Sequence, residues 1–137
     1  LAKYVVTGNK VSINGVDLSS SIARAEIAMN VADVDATDFA SGGYTELVGG
    51  LKSGSVSIDF HQDYAAASVD ATIFPLIGSI ATAVIIAGNG TAASSTTPAY
   101  TATVLVNGWN PVSGAVGDLA TVSVTWPTSG AITKATA

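Results

Sequence analysis

Apolar and polar residues alternate along much of this chain, the period of a β-strand with one buried face. In Ser53–His61, Val56, Ile58 and Phe60 fall on one side and Ser55, Ser57, Asp59 and His61 on the other. Ala120–Trp126 sets Val122, Val124 and Trp126 against Thr121, Ser123 and Thr125. Ile22–Met29 sets Ala23, Ala25, Ile27 and Met29 against Arg24, Glu26 and Ala28, and Tyr100–Val106 sets Ala102, Val104 and Val106 against Thr101 and Thr103. Lys10–Ile13 and Val16–Leu18 flank Asn14-Gly15, a dipeptide suited to a type I′ hairpin because both central residues need positive φ. Ile80–Ile86 is apolar on both faces and reads as a fully buried strand.

One helix interrupts the strands. Over Tyr64–Ile77, Val69, Ile73, Leu76 and Ile77 recur at helical spacing, with Asp63 placed as N-cap and three alanines favouring the first turns. Pro75 kinks or ends it, and Gly78 suits the position beyond the C-cap. The expected fold is therefore mainly β: an antiparallel sandwich or half-barrel with one flanking α-helix, as a single domain over residues 1–137. Two stretches read as connections. Ala87–Pro98 is rich in small polar residues, and Asn30–Gly54 reads as a long loop with four acids, several glycines, and Phe39, Tyr44 and Leu47. A loop that long in a compact domain is usually functional, and its apolar residues suggest packing on a neighbouring chain. Pro127–Ala137 reads as a flexible C-terminal arm. No internal repeat is visible.

Composition narrows the possibilities. Hydrophobic residues make up 48% of 137, so the chain has the means to fold, but charged residues are only 11%, against about 25% in an ordinary soluble domain. A small domain with so few charges covers its surface with Ser, Thr, Gly and Ala, or with a partner. Five Lys and Arg against ten Asp and Glu give a formal charge of −5, which argues against tight nucleic-acid binding, since phosphates are gripped by cations. With no Cys, disulfide frameworks and thiolate chemistry are excluded. Leu1–Lys10 lacks the apolar core of a secretory signal, and Leu1 in place of Met suggests a trimmed N-terminus. The uncharged run Ala71–Gly88 approaches the length of a membrane span, but Pro75, Gly78 and unflanked ends argue against one, so no membrane association is expected.

Candidate chemistry is sparse. Asp59, His61 and Asp63 alternate onto one face, as an acid–base pair or metal site would need, but the same pattern describes the wet face of a half-buried strand. Asp33, Asp35 and Asp38 fail the EF-hand pattern, because the sixth and twelfth positions counted from Asp33 hold Asp38 and Tyr44 where Gly and Glu are needed. Lys52 follows Leu51 where a phosphate loop requires Gly. Asn89-Gly90-Thr91 is a formal glycosylation sequon. His61 is the one histidine, and no Gly-x-Ser-x-Gly elbow exists, so serine hydrolase chemistry is unsupported. Trp109 and Trp126 suit core or interface anchors more than ligand platforms. No enzyme, cofactor or metal site is expected.

Four segments carry a resemblance. Gly50–Tyr64 (GLKSGSVSIDFHQDY), Val69–Gly78 (VDATIFPLIG), Pro98–Tyr100 (PAY) and Asn110–Trp126 (NPVSGAVGDLATVSVTW) resemble the tail tube, or major tail, proteins of long-tailed bacteriophages, and the likeness spans most of the chain. It implies a structural virion protein, assembled in the host bacterial cytoplasm. Six copies would form a ring, one sheet from each joining an inner β-barrel. Rings would stack into a hollow tube that conducts DNA during ejection without specific binding. Implied partners are further copies and other tail proteins such as the tape measure, terminator and distal tail proteins. The long loop and chain ends would lock adjacent rings.

The residues agree with such a role. A surface poor in charge fits burial against copies, since interface cores are depleted in charge, and strand edges with few Lys gatekeepers call for covering. Acidic side chains repel DNA over a Debye length of about 8 Å and leave it free to slide. On this reading Glu26, Asp33, Asp35, Asp59 and Asp63 face the lumen, and Phe39, Tyr44, Leu47, Leu51 and Trp109 make subunit or ring contacts. Two alternatives remain open: a secreted β-sandwich adhesin or carbohydrate-binding module, and another virion part of the same fold, such as a tail terminator or distal ring.

Overall fold

In the computed structural model, which describes residues 3–136, Asn14 and Gly15 turn the chain at φ 51° and 84°. This is the I′ geometry the dipeptide predicts. It joins β1 (Lys10–Ile13) to β2 (Val16–Asp17), with Ile13 opposite Val16. After a short 3-10 turn come β3 (Ile22–Asp35), β4 (Leu47–His61), α1 (Val69–Ile73), β5 (Ile80–Ile86), β6 (Ala99–Leu105), β7 (Thr121–Pro127) and β8 (Thr133–Ala135). They form two antiparallel sheets, a five-stranded one ordered β2-β1-β5-β6-β8 and a three-stranded one ordered β3-β4-β7.

One apolar core joins the sheets. Val11, Ile13, Ala81, Ala83, Ile85, Ala102 and Val104 meet Val56, Ile58, Phe60, Val122, Val124 and Trp126, and Val69 and Ile73 of α1 pack into the same cluster. The alternation read from the sequence is the one that fills this core. Beyond Pro127, Thr128 bridges to Val104, so the chain crosses from the small sheet to the large one. Near the N-terminus, Asn89 at φ 60° accepts from the amides of Thr7 and Gly8 at 2.8 and 2.9 Å and donates to the Val5 carbonyl.

Four expectations need correction. Asn30–Gly54 is not a loop: it is the outer part of a long hairpin, with Asn30 opposite Ser53, Val34 opposite Val48 and Asp35 opposite Leu47. Only Ala36–Glu46 connects the strands. The pattern hid this because both faces of the arm meet water and a register shift between Val31 and Asp33, with the extra residue on β4, breaks the period of β4. The C-terminal segment is not a free arm, since Thr133, Lys134 and Ala135 pair with Thr101, Tyr100 and Ala99; Ala137 lies outside the described residues.

The helix is shorter than Tyr64–Ile77. Ala67 adopts φ 58°, which no helix interior accepts, so α1 begins after Ser68 and passes at Phe74 into a 3-10 turn containing Pro75. Gly78 has the left-handed φ of 82° its position predicts. β5 is fully buried only on one face: Ala81, Ala83 and Ile85 enter the core, while on the other Thr82 and Val84 are half-buried, Ile80 is exposed and Ile86 alone is buried. No helix among the described residues is long and apolar enough to cross a membrane.

Candidate assembly surfaces

The register of the small sheet determines which polar side chains meet. Arg24, Asp59 and Ser123 form one row across β3, β4 and β7, and Glu26, Ser57 and Thr125 form the next. His61 lies opposite Thr121. Ser57 and Thr125 share a hydroxyl hydrogen bond of 3.1 Å. Arg24 Nη2 donates to Glu26 Oε2 at 2.5 Å, with both side chains about half exposed (51% and 54%). An exposed pair like this adds little stability, but it neutralises the acid. The face is therefore a field of hydroxyls with one cation and two carboxylates.

The acids singled out from the sequence do not share this face. Glu26 and Asp59 do. Asp33 and Asp35 alternate along β3 with Val31 and Met29 rather than with Glu26, which puts them on the opposite side of the hairpin arm. Asp35 has a pKa below the usual carboxylate value because the Thr37 hydroxyl and amide donate to it, the amide at 2.9 Å. Asp63 begins the turn before α1. The Ala65 amide, at 2.9 Å, and the Ser68 hydroxyl hold its pKa down. The pairing Asp59–His61–Asp63 does not become a cluster: no three His, Asp or Glu side chains gather among the described residues. His61 Nδ1 is buried without a hydrogen-bond partner. A cleft of about 430 Å³ between Val6–Asn9 and the start of β3 has Arg24 as its one ionisable lining residue, a poor basis for acid–base chemistry.

Both outer strands of this sheet, β3 and β7, are edges. Gly108–Asn110 runs beside Ser123–Trp126 across a smaller cleft of about 160 Å³. The tie there is the Trp126 indole N–H, which donates to the Gly108 carbonyl at 2.9 Å.

Of the contact residues named from sequence, Phe39, Tyr44, Leu47 and Leu51 lie on the arm, all exposed. Asp38 fixes the tip: its carboxylate accepts from the Ala40 amide at 3.0 Å and from the Ser41 hydroxyl, while its own amide donates to Ser41 Oγ at 3.0 Å. This capping box turns the polar atoms inward and leaves Phe39 outside. Trp109 differs. It packs on the core, edge-to-face with Phe60 at 5.5 Å between centroids, and donates its indole N–H to Asp70 Oδ1 at 3.1 Å.

Sequence reasoning passed over Val112, Val116 and Leu119, all strongly exposed in the loop before β7. The signal was present: an apolar residue beside Gly117-Asp118 sits in a turn, where nothing covers it. The Asp118 amide donates to the Ala115 carbonyl at 3.1 Å and Gly117 has φ 92°, so a turn with Gly at its third position carries Val116 at its apex.

The sequence matches no protein-family model and no curated protein. The fold does have solved counterparts. A chain of the virion of a native gene transfer agent particle superposes with a TM-score of 0.72 at 16% identity, covering 92% of this chain and 94% of that one. A chain from the tail of an empty gene transfer agent particle, refined helically with C6 symmetry, gives 0.68 at 17% identity, covering 91% and 92%. The protein thus has the mainly β fold of these particle chains, as the resemblance to tail tube proteins implied.

Proposed function

We propose that this protein is a structural, non-enzymatic subunit of a phage-type tail tube, built from stacked hexameric rings and serving as a conduit for DNA. The observation that carries the reading is the three-stranded sheet: one face is core, the other is hydroxyl-rich and nearly neutral, and both edges are open. Open edges pair with other chains unless guarded, and closing six such sheets into a barrel removes them all. The fold shared with a chain of a C6-symmetric tail supports six as the number.

Strand direction adds a requirement. β3 and β7 both run antiparallel to β4, so rotation about a ring axis would set β7 of one copy parallel to β3 of the next. A fourth strand between β7 and the next copy's β3 would make the closed barrel antiparallel throughout, and Gly108–Asn110, across the small cleft from β7, is the segment placed to supply it. Glu26 and Asp59 then face the lumen, while Phe39, Tyr44, Leu47 and Leu51 reach the adjacent ring. Tape measure, terminator and distal tail proteins would be the partners at the tube's interior and ends, and the virion its location.

Negative-stain microscopy of purified protein tests this directly. Six-fold annuli and open cylinders are expected as concentration rises. A protein that stays monomeric at every concentration and salt condition overturns the reading and favours the glycan-binding sandwich. Isolated annuli that never stack favour a terminator or distal ring.

A further inference from the structure

Three Asn-Gly dipeptides occur in the chain, Asn14-Gly15, Asn89-Gly90 and Asn107-Gly108, and the fold treats them differently. A glycine after asparagine has no side chain to shield its backbone nitrogen, which can reach the asparagine side-chain carbonyl carbon. Closing that five-membered ring requires the nitrogen to swing toward the asparagine Cβ. At Asn14 the I′ turn holds ψ at about +30°, which points the nitrogen away, and Ile13 paired with Val16 keeps it there. At Asn89 every participant is engaged. Oδ1 accepts from the Thr7 and Gly8 amides, Nδ2 donates to the Val5 carbonyl at 2.9 Å, and the Gly90 amide donates to the Ala87 carbonyl at 3.3 Å. Asn107 is exposed, and among the described residues neither its side chain nor the Gly108 amide makes a hydrogen bond. The bonds lie to either side: Val106 is tied through its amide to Ser79 and through its carbonyl to Gly78, and the Gly108 carbonyl accepts from Trp126.

We infer that Asn107-Gly108 is a self-modification site, where Asn107 deamidates through a cyclic imide. The Gly108 nitrogen bonds to Cγ of Asn107 as its proton passes to water; the Cγ–Nδ2 bond breaks and ammonia leaves. Water then opens the ring at either carbonyl. One opening restores the original backbone as aspartate, and the other routes the main chain through the side chain as isoaspartate. Both products carry a carboxylate where the amide was neutral. Isoaspartate also adds a methylene to the main chain between two fixed points, the bonds of Val106 and the carbonyl of Gly108. The added length pulls that carbonyl from the Trp126 indole N–H, whose ring is fully buried. An orphaned buried donor lowers the folded-to-unfolded ratio about tenfold. The modification is independent of the tube reading but bears on it: Gly108–Asn110 is the segment proposed to join β7 to the next copy, so converted subunits would be poor builders of rings.

The test holds the full chain in mildly alkaline buffer, which speeds attack by the amide nitrogen. Each Asn-Gly is followed by peptide mapping, with a protein isoaspartate methyltransferase as the probe. Asn107 is expected to convert about tenfold or more faster than Asn14, whose ring closure waits on opening of the hairpin, and faster still than Asn89. In strong urea the three rates should converge. A folded chain in which Asn14 or Asn89 converts as fast as Asn107, or an order of rates that urea leaves unchanged, overturns the inference. In Gly108→Ala the added Cβ meets nothing within 4 Å, so the variant should fold, while its methyl hinders the attack and slows conversion at Asn107 about fivefold or more. An unchanged rate there overturns the cyclic-imide route. Converted protein, separated from fresh by its added charge, should form rings poorly, and equal assembly overturns that effect. Fresh protein that forms no rings overturns the tube reading and leaves the modification standing.

Discussion

Trp109 is the residue whose two possible roles separate most cleanly by measurement. It buries most of its ring against the chain's own core, touching Phe60 edge-on and holding Asp70 through its indole N–H. Aromatic side chains bury about 150–250 Å², so a mostly covered Trp109 removes roughly 150 Å² from water. At about 25 cal/mol per Å² that is close to 4 kcal/mol, reduced to about 3 once the compactness of the unfolded chain is allowed for. The edge-to-face pair adds about 1 kcal/mol. Trp109→Ala should therefore cost about 4 kcal/mol, a large part of the roughly 5–15 kcal/mol that holds a domain together.

The assay is urea unfolding of dilute, unassembled protein, followed by tryptophan emission. In Trp109→Ala the remaining fluorophore is Trp126, which is fully buried and so reports the core alone. Trp109→Phe keeps a ring against Phe60 but loses the bond to Asp70, and should cost about 1–2 kcal/mol. The reasoning is refuted if Trp109→Ala unfolds within about 0.5 kcal/mol of the wild type yet forms no rings. Trp109 would then act between copies, as the sequence alone suggested.

Acid should loosen the turns before it loosens the sheets. Asp17, Asp35 and Asp63 all have folded pKa values lowered from the ordinary 3.8 by hydrogen bonds from Ser19, Thr37 and from Ala65 and Ser68. The fold thus favours the ionised forms: their contribution is complete above about pH 3.8 and fades as pH drops through the lower folded values. Thermal melts should show Tm falling below about pH 4, with a shallower fall in Asp63→Asn; an acid-independent Tm would contradict this. At Gly54, a Cβ would stand 2.4 Å from the Ala28 carbonyl oxygen and 3.0 Å from Ile132 Cδ1. Gly54→Ala should thus cost about 1–3 kcal/mol in urea titrations, whereas Gly8→Ala, with open space around it, should cost far less. Equal losses at the two sites would remove the steric explanation.

How far the sequence could be read follows from what each residue packs against. Val56, Ile58 and Phe60 alternate because one face of β4 is core, and the same holds for Val122, Val124 and Trp126. Beyond Gly54 that constraint ends: the outer hairpin has water on both sides, so Val31, Val34, Val48 and Leu51 keep no strict period. A strand there is visible only through its partner. The helix is shorter than its pattern predicts for a related reason: Ala65–Ala67 have high propensity but bury nothing, and the turn bonded to Asp63 prevails. That Arg24 and Glu26 share a face is legible, since they lie two apart on a strand; their ion pair is seen only in the structure. The face that Asp33 and Asp35 occupy is not legible in the sequence, because it depends on the alternation of a strand that only its partner reveals.

Acid content alone suggested a repulsive channel wall, but the placement of the charges changes that argument. On the polar face of the small sheet Arg24 offsets Glu26 and leaves Asp59, a net of about one negative charge per copy. The hairpin carries Asp33, Asp35, Asp38 and Glu46 against Lys52, so most of the formal −5 lies out on the arm. In a tube built as proposed, the wall facing DNA is mainly hydroxyl, with a sparse ring of six Asp59 carboxylates at each level. Hydroxyls bind phosphate too weakly to release counterions, so such a wall resists neither entry nor passage. In the same tube the concentrated charge would act elsewhere: it would hold the apolar arms of free rings apart, restraining the growth that open sheet edges and exposed tips favour.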